Sequence, residues 1–125
     1  MAHNRNWFTT IGLAASIIII AIFSFAVFLH GRVKPNPAMD AFAKCLAEKG
    51  ITMYGAYWCP HCKNEKQAFG SSFQYVPYVE CTKEIEKCLS QKIDEYPTWI
   101  FPDGRKLEGE QGIAKLAAAS GCPIP

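Results

Sequence analysis

Ile51-Thr52-Met53-Tyr54-Gly55-Ala56-Tyr57-Trp58-Cys59-Pro60-His61-Cys62 is a short apolar run that meets a proline between two cysteines. Residues 51–57 are rich in strand formers, and Pro60 suits the first turn of a helix, where its missing N–H costs nothing. A strand that becomes a helix at its first cysteine places that sulfur over unpaired backbone N–H groups and the positive end of the helix dipole. Both favour thiolate over thiol. The thiolate is the form that attacks disulfides, so Cys59 is expected to attack and Cys62, one helical turn on, to resolve.

The flanking sequence builds a small α/β domain around this junction. Before it, Met39, Phe42, Ala43 and Leu46 fall on one helical face, and Gly50 is the stop. After it, the helix opened by Pro60 runs to about residue 69. Residues 73–81 read as a strand centred on 76–79, with Pro77 marking an edge or an early break. Residues 84–91 have the charge pattern of an exposed helix with Ile85, Cys88 and Leu89 facing inward. Residues 98–101 and 106–108 form a hairpin about a Pro102-Asp103-Gly104-Arg105 turn, and a last helix covers about 111–119. Strands alternating with helices and ending in a hairpin predict a mixed sheet with helices on both faces. Trp58, Trp99, Phe42, Phe69 and Phe101 read as core and site rim.

A different segment precedes this domain. Residues 11–29 carry no charge, and as a helix they span roughly 28 Å, close to the hydrocarbon thickness of a bilayer. Trp7 and Phe8 stand before the run, and His30, Arg32 and Lys34 follow it, as interfacial residues do. The expected organisation is an N-terminal flank (1–10), a transmembrane anchor (11–29), a linker (30–38) stiffened at Lys34-Pro35-Asn36-Pro37, and one domain (39–125). The competing reading is a cleaved signal peptide with Ser24 and Ala26 before the cut, but the apolar run is longer than such h-regions and continues past that site. Basic residues on both sides leave orientation open. Six cysteines in 125 residues favour an oxidising, extracytoplasmic setting for the domain. Thirteen Lys and Arg against eleven Asp and Glu give a net charge of +2, which supports no nucleic-acid partner.

A Cys-x-x-Cys pair serves zinc, haem and redox chemistry alike, and its surroundings separate them. Haem attachment requires His directly after the second cysteine, where Lys63 stands. A zinc site needs a second pair of ligands at short spacing, and Cys81 and Cys88 are too widely spaced. No metal and no bound cofactor are expected; the redox-active group is the Cys59–Cys62 pair itself.

Residues 39–122 resemble a thioredoxin-fold domain, with Trp58-Cys59-Pro60-His61-Cys62 as its active site and Tyr96-Pro97-Thr98 as its cis-proline loop. More narrowly, MYGAYWCPHC, YVEC and YPTWIFPDG, in that order, are similar to the thioredoxin-like domains fused to or working with the vitamin K epoxide reductase family of membrane quinone reductases. The resemblance implies a cis Pro97 facing the cysteines, with Trp58, Tyr96, Pro97 and Thr98 receiving an extended substrate. Pro60-His61 is also the dipeptide of strongly oxidising DsbA-type proteins, and His61 would tune the pair by stabilising the Cys59 thiolate. Those families commonly bury a carboxylate six residues before the first cysteine. Met53 stands there instead, so the proton of Cys62 must travel another way.

The remaining cysteines are read with less help. In one unbroken helix Cys81 and Cys88 would lie about 10.5 Å apart, beyond disulfide reach, and pairing requires a loop at Thr82-Lys83. The resemblance implies such an extra disulfide, a staple in preference to a relay. Cys45 and Cys122 could close the termini together, but the first and last helices of a thioredoxin fold usually cover opposite faces, which favours separate buried or free thiols over a bridge.

Three functions are compatible with these readings. The leading one is a membrane-anchored thiol–disulfide oxidoreductase that donates disulfides to extracytoplasmic proteins and is reoxidised in trans by a quinone-linked partner of the vitamin K epoxide reductase type. The second is an anchored reductase, for example in cytochrome maturation. The third is a non-catalytic binding module or chaperone.

Overall fold

The structure, a computed structural model, describes residues 5–30 and 36–125. The chain forms two compact units, residues 1–34 and 35–125. In the first, helix α1 (Arg5–His30) runs for 26 residues, and its described isoleucines and phenylalanines, Ile17, Ile20 and Phe23 among them, are exposed. Among the described residues no helix is long and apolar enough to cross a membrane. The anchor expected over 11–29 therefore rests on the sequence. Residues 1–4 and 31–35, with Arg32, Lys34 and the start of the proline spacer, lie outside the described residues, as do the side chains of Trp7, Phe8 and His30.

In the second unit, α2 (Pro37–Glu48) opens where the Asn36 side chain accepts the Met39 N–H at 3.2 Å and Pro37 takes the first turn. Gly50, at φ +69°, turns the chain into β1 (Thr52–Gly55). Next come α3 (Pro60–Phe69), a 3-10 turn (Gly70–Tyr75), β2 (Tyr78–Glu80), α4 (Ile85–Ser90), β3 (Thr98–Ile100), β4 (Lys106–Glu108) and α5 (Gly112–Ser120). The four strands form a mixed sheet in the order β2-β1-β3-β4, with β1 parallel to β2, antiparallel to β3, and β3 antiparallel to β4. This is a mixed α/β arrangement that fits a thioredoxin-like fold.

Side chains alternate across a strand, so the register sorts the two faces. Met53 is paired with Trp99, and Trp99 with Leu107, on one face. There they meet Phe42 and Leu46 of α2, Phe69 of α3 and Leu116 of α5 in the main core. On the other face Val79, Cys81 and Cys88 form a smaller cluster with Tyr54, Ile93 and Tyr96. Three helices thus cover one face, and the short α4 lies on the other.

Three expectations change. The strand expected over 73–81 is confined to Tyr78–Glu80, because residues 70–75 continue as a 3-10 turn. Ser72 is buried there and donates to Asp40 at 2.6 Å, while Phe73 packs edge-on against Phe69 at 6.0 Å, a helical spacing. Pro77 stands just before β2, the sheet's edge strand, and its carbonyl accepts the Met53 N–H. In α4 only Cys88 faces inward, since Ile85 and Leu89 are 56% and 65% exposed. Finally, Cys45 and Cys122 are not separate thiols: they form a disulfide, S–S 2.05 Å. The first and last helices of this domain share a face, and Gly121, in a left-handed turn at φ +68°, carries Cys122 back from the end of α5.

Candidate active site

Cys59 caps α3. Its sulfur accepts the Cys62 backbone N–H at 3.2 Å, and Pro60 fills the first helical position. The Cys59 thiol points in turn at the Tyr96 carbonyl, 3.6 Å away. Both cysteines are thiols in the structure, and they are not equally accessible: Cys59 is 4% exposed and Cys62 is 0%. An incoming sulfur therefore meets Cys59 first.

Burial pushes the Cys62 thiol up to about 12, helped by its hydrogen bond with Cys59. Cys62 is thus held as a thiol, and as a thiolate it would be a poor leaving group without a proton. How that proton moves is the chemical question the site poses.

The facing wall comes from the loop before β3. The Tyr96–Pro97 peptide bond is cis, the Pro97 carbonyl accepts the Gly109 N–H at 2.8 Å, and Thr98 is buried with its hydroxyl on the Glu95 carbonyl at 2.7 Å. Tyr96 meets Trp58 edge-on at 6.0 Å between ring centres. Trp58 and Tyr57 are 55% and 67% exposed, and they form an aromatic rim beside Cys59. Trp58, Cys59, Cys62, Tyr96 and Pro97 thus converge on one region of the domain.

His61 is arranged differently from the expectation. Its Nδ1 meets the Glu110 carboxylate at 2.9 Å, and Asn64 Nδ2 donates to the same oxygen at 3.2 Å. The His61 and Asn64 side chains hold Glu110 below the usual carboxylate range. His61 tethers the head of α3 to the segment before α5, and its hydrogen bond goes to Glu110, not to Cys59.

Cys81 and Cys88 form a disulfide with Cα atoms 5.7 Å apart. Residues 82 and 83 are a turn, outside α4, which gives the pair the reach an unbroken helix would deny. Although the Cys81 N–H donates to the Gly55 carbonyl, its side chain belongs to the cluster on the face away from Cys62. Position suits a staple for α4.

Four residues of the site were not singled out in the sequence. Glu65, one turn after Cys62 on the buried face of α3, accepts the Gln111 and Gly112 N–H groups at 3.0 and 3.2 Å and so joins α3 to the start of α5. Its helical spacing from Cys62 was the available signal. Glu110 carried none beyond its charge. Tyr78 and Glu80 lie two apart on β2, a period that puts both on one face, and the Tyr78 hydroxyl donates to Glu80 at 2.7 Å. Among the described residues no group of three His, Cys, Asp or Glu side chains could hold a metal ion.

No family model matches the chain. Over 95 residues it is 39% identical to the thiol-disulfide oxidoreductase LTO1 of Arabidopsis thaliana. The similarity supports a domain of the thiol-oxidoreductase kind. The match takes in 69% of this chain but 25% of the relative, so the chain spans about a quarter of that protein's length. The domain carries the cysteine pair at its helix terminus, a cis-proline wall opposite, and two further disulfides.

Proposed function

We propose that this chain is a membrane-anchored thiol–disulfide oxidoreductase that donates the Cys59–Cys62 disulfide to extracytoplasmic proteins. A client thiolate attacks Cys59, the Cys59–Cys62 bond breaks, and Cys62 leaves with the electron pair and takes up a proton. A second client thiolate then attacks the client sulfur of the mixed disulfide, and Cys59 leaves reduced. The observation that carries this reading is the placement of Cys59 at the cap of α3 against the Tyr96 carbonyl and cis Pro97, with Cys62 buried behind it. The exposed Trp58 and Tyr57 offer an apolar landing for an extended client beside that sulfur.

Reoxidation is assigned to a quinone-linked membrane partner of the vitamin K epoxide reductase type, acting in trans. The uncharged run at 11–29 would hold the domain beside that partner. The resemblance of the Pro60-His61 pair to that of oxidising DsbA-type proteins supports the oxidising direction.

Replacing Cys62 by Ala removes the resolving sulfur, so Cys59 should accumulate client mixed disulfides in cells, seen as adducts that vanish on reduction. Recovery of no adduct would sink the oxidoreductase reading. Direction follows from the reduction potential: about −120 to −180 mV is expected, and a value near −270 mV would reverse the flow to a reductase.

A further inference from the structure

Met53 occupies the strand position from which a carboxylate would serve Cys62, and the buried sulfur needs another way to exchange its proton. The main-core face of the sheet supplies one. The point where a side chain on Gly55 would begin lies 2.9 Å from Cys62 Sγ, 3.3 Å from the Tyr78 ring and 3.5 Å from the Tyr78 hydroxyl. Sulfur and phenol therefore flank one small space that only glycine leaves open, and a single water in that space would link them.

The path continues outward. The Tyr78 hydroxyl donates to one Glu80 carboxylate oxygen at 2.7 Å; the other oxygen accepts the Thr82 hydroxyl at 2.7 Å and the Tyr57 N–H at 3.1 Å. Glu80 is partly exposed, so its carboxylate meets solvent at the rim of the site. Lys66, on α3, lies over the Tyr78 ring at 3.6 Å, and Phe73 packs against that ring at 5.7 Å. The other titratable groups facing Tyr78 are Cys62 and Cys59.

We infer that Tyr78 and Glu80 are the proton path of Cys62, with Tyr78 the proton-transfer residue and Glu80 both its positioning partner and its link to water. When Cys62 resolves a mixed disulfide, its S–H proton passes to the Tyr78 oxygen as the Tyr78 hydroxyl proton passes to Glu80. The Cys62 thiolate attacks Cys59 Sγ, the Cys59–Cys62 bond forms, and the client sulfur departs with the electron pair of the broken bond and is protonated by water. Glu80 then releases its proton to solvent. Disulfide donation runs the same steps backwards, and Cys62 leaves with its proton supplied.

This inference rests on the oxidoreductase reading of Cys59 and Cys62, and the experiment separates the two. The reduced full chain is mixed with oxidised glutathione, acid-quenched at intervals and weighed by mass spectrometry. The Cys59–glutathione adduct appears in the first step and disappears in the second. Tyr78→Phe keeps the ring between Phe73 and Lys66. It should leave adduct formation near the wild-type rate while slowing adduct loss by about a hundredfold near neutral pH, the low end of general acid–base effects. The slowed step should also rise with hydroxide concentration more steeply than in wild type. Glu80→Gln, which still accepts the Tyr78 hydrogen bond, should slow the second step as well. Equal slowing of both steps, or no slowing in either variant, would overturn the proton path. Failure of the wild-type chain to form any adduct would instead overturn the oxidoreductase reading beneath it.

Discussion

Among the described residues Glu65 is the one charged side chain that is buried, at 1% exposure. Burial pushes its carboxyl above the usual range, against the pull of the Gly112 and Gln111 N–H groups. In the pH interval between the unfolded and the raised folded value, the folded domain holds a proton that the unfolded chain has released. The stability this contributes is full at acid pH and is lost as pH rises through the folded value. Glu80, Asp103 and Glu110 are lowered and act in the opposite sense, so the effect has to be isolated as a difference. The urea midpoint of wild type minus that of Glu65→Gln should fall as pH rises above the ordinary glutamate value of about 4.3. A difference that stays flat with pH would show that Glu65 titrates alike in both states. Glu65 also marks where sequence reading stops. Its spacing from Cys62 is visible, but its partners are backbone N–H groups 46 and 47 residues away, and nothing local announces them.

At the scale of elements, the two structural disulfides differ chiefly in the loops they close. Cys45 and Cys122 are 77 residues apart and Cys81 and Cys88 are 7 apart. On loop-closure entropy the first should contribute about 4.5 kcal/mol and the second about 2.5 kcal/mol. Replacing both members of each pair by Ser, and measuring denaturant unfolding of the purified chain, should cost more for Cys45 and Cys122. The reverse order would mean that the tether on α4 outweighs the constraint between α2 and α5. The elements themselves were largely legible. Periodicity over 39–49, the proline after Cys59, and the turn at 102–105 each act through neighbours in the chain, and they locate α2, α3 and the β3–β4 hairpin. What was not legible depends on packing between distant segments. Ser72 reaching Asp40 converts a nominal strand into a 3-10 turn, and the shared face of α2 and α5 is set by Trp99 and Met53 in the sheet beneath both. The site divides in the same way. Cys59, Cys62 and Pro97 are readable as a motif, whereas Tyr78 and Glu80 become meaningful only when β2 pairs with β1 and brings them beside Gly55.

At the scale of the whole molecule, residues 1–34 and 35–125 are separate compact units, and every residue of the candidate site belongs to the second. Chemistry and location should therefore be separable. The proposed anchor predicts that the full chain stays with the membrane through an alkaline carbonate wash. A chain beginning at Pro35 should be recovered in solution and should form the Cys59–glutathione adduct at the full-length rate. Release of the full chain by the wash would overturn the anchor, and loss of adduct formation in the shorter chain would show that the site depends on residues 1–34. The proposed side of the membrane rests on the cysteines and not on the charges. Four of the six are held in disulfides, and Cys59–Cys62 is proposed as a donor of a further one, a set that persists in an oxidising compartment. After brief reduction of intact cells, a membrane-impermeant maleimide should therefore modify Cys59 without the bilayer being opened. Modification only after the membrane is breached would put the domain on the reducing side, where the disulfide-donor reading could not hold.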